Sequence, residues 1–261
     1  MSRKAEARKG QIAVPYLGGD LASQRTQRTL EVLAQRLGLF GVLADPAMSI
    51  AEIVSLQGAG GNAYKPLRVL LPEGTWSFDA AGVVVARDKI HFEAIGSGYT
   101  VFQRKVATTT GPMLTLAGED CRVVGVRFDD ASTSDYALSF ADFGAGHRTK
   151  QCKVSGCWFE DCWRAIHSAS TAARITDNVV YAQRDVTYQI RLTGGLLCVV
   201  QGNVSLSSTG LTVIYADDAV TKSTFLGNAC HGNLVTFVLD YKTTGATLNV
   251  QAANVGTVNA R

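Results

Sequence analysis

The segments ARITDNVVY (residues 173–181), CVVQGNVSL (198–206) and STFLGNACH (223–231) repeat one pattern at a nearly constant interval. Each contains an asparagine that follows a small or turn-favouring residue and lies in a short apolar stretch. A fourth copy follows, and the four asparagines are separated by 25, 25 and 26 residues: Asn178, Asn203, Asn228 and Asn254. A fixed period in this range predicts a solenoid, in which each repeat forms one coil of a stack.

Three more columns of similar side chains accompany the asparagines along the chain. One is small (Cys121, Cys152, Ala173, Cys198, Ser223), one is apolar (Val123, Val154, Ile175, Val200, Phe225), and one is branched (Ile166, Ile190, Ile214, Val238). In a stack of short parallel strands, equivalent residues lie roughly 4.7–4.9 Å apart and alternate residues point inward. We therefore expect a narrow core of small and branched side chains. The asparagines suit bends, because Asn tolerates the left-handed conformation and its amide can bond the next coil.

An ordinary β-sandwich with accidental spacing is the alternative, and the coincidence of several columns argues against it. The composition agrees with a globular β protein: 261 residues, 46% hydrophobic, 18% charged and 26 glycines. The net charge of +3 is too small to indicate a nucleic-acid partner, and no aromatic side chains interleave with basic ones along a groove. We therefore expect no nucleic acid among the partners.

Basic residues gather in the first forty positions, where Arg3, Lys4, Arg8, Lys9, Arg25, Arg28 and Arg36 outnumber Glu6, Asp20 and Glu31. Such an arm could contact an anionic partner, or it could be a solvated terminus. The start of the chain lacks the apolar core of a signal peptide, and no apolar run of membrane-spanning length occurs. The sequence thus predicts a cytoplasmic place of synthesis and no membrane insertion.

No cofactor or metal is expected. The cysteines in the small column behave as small hydrophobic residues rather than as disulfide partners, and Cys157 and Cys162 belong to no paired CxxC motif. The scattered histidines, His91, His147, His167 and His231, show no zinc spacing and are interpreted as non-catalytic.

Two helices are predicted before the strands begin. The first extends from Gly19 to Gly38, with a leucine face at helical spacing. The second follows Asp45-Pro46, where Ser49 and Glu52 have the spacing of a capping box. The predicted division is therefore a basic, helical N-terminal segment, residues 1–45, and a solenoid domain with a capping helix, residues 46–261.

The segments VLLPEGTW (residues 69–76) and IHFEAIGSG (90–98) carry a resemblance to a known superfamily. A helix, a glycine-rich break and a Pro-x-Gly-x-aromatic turn resemble the opening of pectate-lyase-like proteins. The resemblance implies an all-β fold, a single-stranded right-handed parallel β-helix. That superfamily contains secreted polysaccharide lyases and hydrolases, and also bacteriophage tail spikes and related receptor-binding virion proteins.

Three features favour the phage members of the superfamily: the missing secretion signal, the basic N-terminal segment, and a last coil with no visible cap. The resemblance then implies a spike or fibre component for host-surface attachment, assembled in the host cytoplasm and located in the virion. Its expected partners are two further copies in a homotrimer, other virion proteins at the N-terminal segment and the C-terminal end, and host polysaccharide. A polysaccharide-cleaving hydrolase or lyase is the alternative.

Cleavage would need two carboxylates about 5–5.5 Å or 6.5–9.5 Å apart. The candidates are Asp129 with Asp130 and Glu160 with Asp161, expected to stack on adjacent coils, and a second group, Asp217, Asp218 and Asp240. Trp158 and Trp163 are candidates for carbohydrate binding. All these carboxylates could instead be solvated turn residues. Tyr188, Tyr215 and Tyr241 do not share a column and are interpreted as dispersed.

Overall fold

The chain winds through three parallel sheets in turn, so that each coil contributes one strand to each sheet. The computed structural model describes residues 42–55, 67–95, 99–133, 135–141, 151–181, 188–206, 212–217, 219–230, 237–241, 249–255 and 258–260. Strands of successive coils pair in parallel and in register. The predicted single-stranded parallel β-helix is therefore confirmed.

The strands are numbered along the chain and grouped here by sheet. The first sheet contains β1 (Val42–Leu43), β2 (Leu67–Leu71), β5 (Ile90–Ala94), β8 (Arg122–Val124), β11 (Lys153–Ser155), β14 (Arg174–Thr176), β18 (Val199–Gln201), β22 (Thr224–Leu226) and β25 (Val250–Ala252). The second contains β3 (Gly74–Ser77), β6 (Thr100–Arg104), β9 (Arg127–Asp130), β12 (Trp158–Glu160), β15 (Val179–Tyr181), β19 (Val204–Ser205) and β23 (Ala229–Cys230). The third contains β4 (Val83–Val85), β7 (Leu114–Leu116), β10 (Tyr136–Phe140), β13 (Arg164–Ser168), β16 (Tyr188–Leu192), β20 (Thr212–Ala216), β24 (Phe237–Tyr241) and β26 (Val258–Ala260). A short pair, β17 (Gly195–Leu196) and β21 (Val220–Thr221), lies at one corner.

The core is the inside of this cylinder, and the predicted columns line it. Val154, Ile175 and Val200 stand in register on the first sheet, and all three are fully buried. The branched column on the third sheet is confirmed from Ile166 to Ile214, but its next member is Leu239, not Val238. That coil is one residue longer than the two before it, so the register moves by one position.

Aromatic rings fill the part of the core behind the second sheet. Phe102, Phe128 and Phe159 lie in register on successive coils, and the last two rings stack with centroids 4.7 Å apart. The six cysteines are free, and the three of the small column, Cys121, Cys152 and Cys198, are buried as the sequence predicts. Cys157 and Cys162 are buried as well. The side chains that face the solvent are thus carried on a rigid, dry support.

The bend between the first and second sheets repeats one backbone conformation. Asp177, Gly202 and Gly227 have φ of 58°, 64° and 59°, and each directly precedes an asparagine of the column. The expectation that Asn supplies the left-handed conformation is therefore wrong. The asparagine instead turns its side chain inward, and Asn178 and Asn203 are buried and hydrogen-bonded to each other.

Helix α1 (Ile50–Ser55) covers the first coil with Ile50 and Ile53 buried. Its predicted capping box is confirmed: Ser49 N donates to Glu52 Oε2 at 2.8 Å, and Glu52 N donates to Ser49 Oγ at 3.1 Å. The predicted helix from Gly19 to Gly38 lies outside the described residues. Among the residues that are described, no helix is long and apolar enough to cross a membrane.

Candidate functional site

A groove opens on the outer face of the second sheet, where β6, β9 and β12 lie side by side. Its volume is about 340 Å³. Arg127 and Trp158 stand in register on adjacent coils, so both side chains face outward at one level. The groove is lined by Tyr99, Thr100, Gly125, Val126, Arg127, Gly156, Trp158 and Glu160.

An ion pair crosses the groove from one coil to the next. The Arg127 guanidinium contacts the Glu160 carboxylate, and both side chains are partly exposed. The guanidinium carbon of Arg127 also lies 5.2 Å from the centre of the Tyr99 ring. Because Arg127 Nε is buried without a hydrogen-bond partner, the groove holds an unused donor next to a fixed charge pair.

Exposed aromatic rings lie beside this ion pair. Trp158 is 41% exposed, and its ring centre lies 6.4 Å from that of Tyr181 on the next coil. Tyr99 is 71% exposed at the other side of Arg127. Large aromatic side chains normally bury their faces, so three exposed rings in or beside one groove are an unusual feature of this surface.

The predicted stacking of carboxylates is confirmed for one pair. Asp129 and Glu160 are in register on β9 and β12, which places their backbones about 4.8 Å apart. Asp129 accepts a hydrogen bond of 2.6 Å from Gln103 Nε2 on the preceding coil. Glu160 is paired with Arg127. Both carboxylates are thus held by neighbouring coils.

Asp130 does not belong to this outer surface. Its side chain points inward and is fully buried, with Arg104 donating to its two oxygens at 2.9 and 2.8 Å. Arg104 also donates to the carbonyl of Gly111 at 2.7 Å. The catalytic prediction for Asp130 is wrong, because a substrate cannot reach this carboxylate. Asp161 follows β12 at an exposed corner with φ of 52°, which is a turn position.

The second carboxylate group does not form a site in the described part of the chain. Asp217 accepts a hydrogen bond from the backbone of Ala219, which makes it a turn residue. Asp240 is in register with Tyr215 rather than with Asp217. The side chain of Asp240 and the whole of Asp218 lie outside the described residues.

The two predicted carbohydrate-binding tryptophans are separated by the corner after β12. Trp158 lies in the groove, whereas Trp163 is partly buried between β12 and β13 and is not among the lining residues. The sequence reasoning also missed Tyr99, Arg127 and Tyr181. An alignment of CRVVGVRF (121–128) with CKVSGCWF (152–159) would have placed Arg127 beside Trp158.

No family model matches the chain, and no curated protein matches it. The catalytic domain of a GH87 alpha-1,3-glucanase in complex with tetrasaccharides is similar in structure, with a TM-score of 0.53 at 10% identity over 84% of this chain. The same domain with nigerose gives 0.51, also at 10% identity and over 84% of this chain. In both comparisons the chain spans 44% of the glucanase domain.

A protein of Geobacillus virus E2, ORF18, matches 97% of this chain and 65% of its own at 11% identity. Its TM-score of 0.35 is too low to support an argument. At 10% identity, the glucanase likeness establishes the β-helix fold and nothing about activity.

Proposed function

We propose that the protein is a spike-type virion component that binds a host-surface polysaccharide in the second-sheet groove without cleaving it. The observation that carries the proposal is the grouping of exposed Trp158, Tyr181 and Tyr99 around the Arg127–Glu160 ion pair. Aromatic faces pack against the apolar faces of sugar rings, and a fixed ion pair offers both donors and acceptors to hydroxyl groups.

The regular fold suits a polymeric ligand. Equivalent outward positions recur about every 4.8 Å along the stack, so a chain of sugars lying across the coils meets repeated contacts. Arg127 is in register with Trp158, and Glu160 is in register with Asp129 and Tyr181, so both outward columns combine charged and aromatic side chains. The groove therefore presents a continuous strip rather than a closed pocket.

The contacts of the carboxylates support binding over cleavage. A glycosidase requires a carboxylic acid kept protonated by its surroundings and a second carboxylate with access to the sugar or to water. Glu160 instead contacts a guanidinium, and Asp129 contacts the amide of Gln103. Each carboxylate is therefore engaged in a contact between adjacent coils, which favours a structural role over a catalytic one.

Glycoside hydrolysis is the second candidate function, and one observation favours it. Asp129 and Glu160 lie in register on adjacent coils beside the exposed Trp158. Two carboxylates at neighbouring outward positions meet the first requirement of a hydrolase, which is a pair that faces the same ligand.

The test is binding of the full chain to an array of bacterial surface polysaccharides. We expect Trp158→Ala to lower the affinity for the bound polysaccharide about tenfold, because a well-packed aromatic contact typically contributes more than ~1 kcal/mol. Trp163→Ala serves as the matched control, since Trp163 lies outside the groove. Equal binding by the Trp158 variant and the parent protein would contradict the proposal.

The same polysaccharide decides between binding and cleavage. Incubation with the parent protein should release no reducing or unsaturated sugars, and Glu160→Gln should leave that result unchanged. Release of sugars that stops in Glu160→Gln or Asp129→Asn would establish the hydrolase instead.

The virion part of the proposal includes a homotrimer attached to the particle through residues 1–45, of which residues 1–41 lie outside the described range. Symmetric closure is the general expectation for such assemblies. Light scattering should give three times the mass of one chain, and removal of residues 1–45 should prevent incorporation into particles. A stable monomer, or normal incorporation of the shortened protein, would contradict this part of the proposal.

A further inference from the structure

A second group of aromatic and cationic side chains lies on the outer face of the third sheet. We call it the third-sheet cluster; its members are Tyr136, Arg164, His167, Tyr188 and Arg191. They come from β10, β13 and β16, where Tyr136 is in register with Arg164, and His167 with Arg191. None of these residues lines the second-sheet groove.

The cluster is an alternating stack of rings and guanidinium groups. The guanidinium carbon of Arg164 lies 5.4 Å from the centre of the Tyr136 ring and 5.1 Å from that of Tyr188. The guanidinium carbon of Arg191 lies 5.1 Å from the Tyr188 ring, and its Nη1 donates to Tyr188 Oη at 2.9 Å. The rings thus hold both cations in position by cation–π contact.

Tyr188 and Tyr215 extend the stack, with ring centres 5.6 Å apart and planes 23° from parallel. The interpretation of these two tyrosines as dispersed is therefore wrong. They occupy different register positions, since Tyr215 pairs with Arg191, but their long side chains meet diagonally across adjacent coils.

His167 is an uncharged, partly buried member of the cluster. One ring nitrogen, Nδ1, lies 3.0 Å from Ser139 Oγ, and Nε2 lies 2.9 Å from Thr193 Oγ1. Burial, reinforced by the charge of Arg191, lowers the pKa of His167 to about 4. The ring is therefore uncharged near neutral pH, and its hydroxyl partners hold it beside the Tyr136 ring, 5.1 Å away.

Two buried polar atoms of the cluster, Tyr136 Oη and Arg191 Nε, form no hydrogen bond of standard geometry, although the Tyr136 hydroxyl lies close enough to Arg191 and Tyr188 for both to influence its pKa. Tyr136 is 8% exposed. Burial raises the pKa of Tyr136 to about 12, so the hydroxyl keeps its proton. Because an unpaired buried donor destabilises a fold, two such atoms in one cluster point to an acceptor that the described residues do not supply.

The positive charge of the Arg191 guanidinium is also not balanced by an ion pair with a described carboxylate. Asp217 is the acidic residue that acts on Arg191, yet its carboxylate accepts from Ala219 N. Within the described ranges, no carboxylate forms an ion pair with Arg191. Since Nη1 is engaged by Tyr188, the Nε edge of the guanidinium is the side on which a planar or tetrahedral oxyanion can be bound.

We propose that the third-sheet cluster binds an oxyanion carried by a saccharide, either a carboxylate or a phosphate ester. The Arg191 guanidinium, which is partly exposed, donates to the oxyanion from its Nε edge, Arg164 adds positive charge, and the exposed parts of the tyrosine rings pack against the sugar. The inference rests on the proposed function in that the ligand is a saccharide. It assigns the anionic groups of that ligand to the third sheet and leaves the second-sheet groove for uncharged sugar rings.

The test is calorimetric titration of the full chain with a tetraglucuronate, with the matching neutral tetraglucoside, with glucose 6-phosphate and with inorganic phosphate. We expect Arg191→Gln to lower the affinity for the anionic saccharides about tenfold or more, because hydrogen bonds to charged groups contribute at this level. Arg191→Lys keeps the charge but loses the Nε donor, and it should lose most of the same affinity. Affinity for the neutral tetraglucoside should not change.

Arg174→Gln is the matched control, since it removes one positive charge from an exposed position on the first sheet. Equal losses in Arg174→Gln and Arg191→Gln, or full affinity in Arg191→Lys, would overturn the assignment in favour of unspecific charge attraction. Binding of inorganic phosphate alone, with no affinity for either anionic saccharide, would also overturn it.

The two proposals fail in different ways. If Trp158→Ala does not weaken polysaccharide binding while Arg191→Gln does, the groove proposal fails and the third-sheet assignment holds. If Trp158→Ala weakens binding of every saccharide and the Arg191 variants weaken none, the third-sheet assignment fails and the groove proposal holds.

Discussion

Val200→Asp is expected to prevent the chain from folding. Val200 is fully buried in the first sheet and lies in register between Ile175 and Phe225. An aspartate there would bring either a charge or an unpaired carboxyl group into a dry core, and a core defect of this kind costs more than about 4 kcal/mol. Domains of ordinary stability have only about 5–15 kcal/mol in total.

The architecture increases the effect of this substitution. In a solenoid each coil contacts the coils before and after it, so a defect in one coil weakens two interfaces. The expected result is loss of soluble protein, or loss of the β-sheet signal in circular dichroism.

Val199→Asp is the matched control, because Val199 is the next residue of the same strand and points outward. Its register neighbours are Arg174 and Thr224, both of which are compatible with a carboxylate. We expect this variant to fold with a melting temperature close to that of the parent. A folded Val200→Asp protein of parental stability would contradict a dry core at this position.

The columns of the core could be predicted from sequence because a narrow cylinder leaves little choice of side chain. Val154, Ile175 and Val200 repeat the same size and shape at one level of the stack, and this repetition is visible without any structure. The prediction failed where coil length changes. Leu239 replaces Val238 in its column because one added residue moves every later position.

The candidate site was predictable only in part. Trp158 and Glu160 are conspicuous in the sequence, and their outward positions follow from strand alternation. The partners that define their chemistry lie on other coils: Arg127 pairs with Glu160, and Tyr181 contacts Trp158. Such contacts depend on diagonal neighbours and side-chain length, and neither is visible in residues that repeat at a fixed spacing.

Asp130 also depends on a partner from another coil, but it is a buried residue that the sequence suggests is exposed. Composition suggests that two adjacent aspartates are surface residues, but alternation turns Asp129 outward and Asp130 inward. Asp130 can be buried because Arg104 lies one coil away and supplies two hydrogen bonds. The sequence contains both residues, 26 positions apart, with no local sign that they meet.

The asparagine column is a stabilising feature added to a bend that can form without it. Val126 and Cys157 occupy the equivalent place in two earlier coils, each after a glycine with positive φ. The left-handed residue therefore makes the bend. The asparagine side chains connect one coil to the next through hydrogen bonds, beginning with Cys157 N, which donates to Asn178 Oδ1 at 3.0 Å.

Asn203→Ala should destabilise the protein by about 3–5 kcal/mol, since each buried polar group left unpaired costs about 1–3 kcal/mol. Asn203 Oδ1 accepts from both the backbone N and Nδ2 of Asn178, at 3.2 and 2.9 Å. Its own Nδ2 donates to the carbonyl of Ile175 at 2.8 Å. Removal of the amide therefore takes the acceptor from Asn178 N and from one of the two Nδ2 hydrogens of Asn178, whose other bond is to the Val154 carbonyl. It also takes a donor from the Ile175 carbonyl, in a site that water does not reach.

Asn254→Ala is the control for this column. Asn254 Oδ1 accepts from Asn228 N and Nδ2 in the same way, at 2.9 Å each, but Asn254 is only partly buried. Water can replace its amide, so we expect a loss of only about 1 kcal/mol, the net value of an exposed hydrogen bond. Urea unfolding of the two variants measures the difference. Equal losses would show that burial does not set the strength of the column, because the two side chains accept the same pair of bonds and differ chiefly in their access to water.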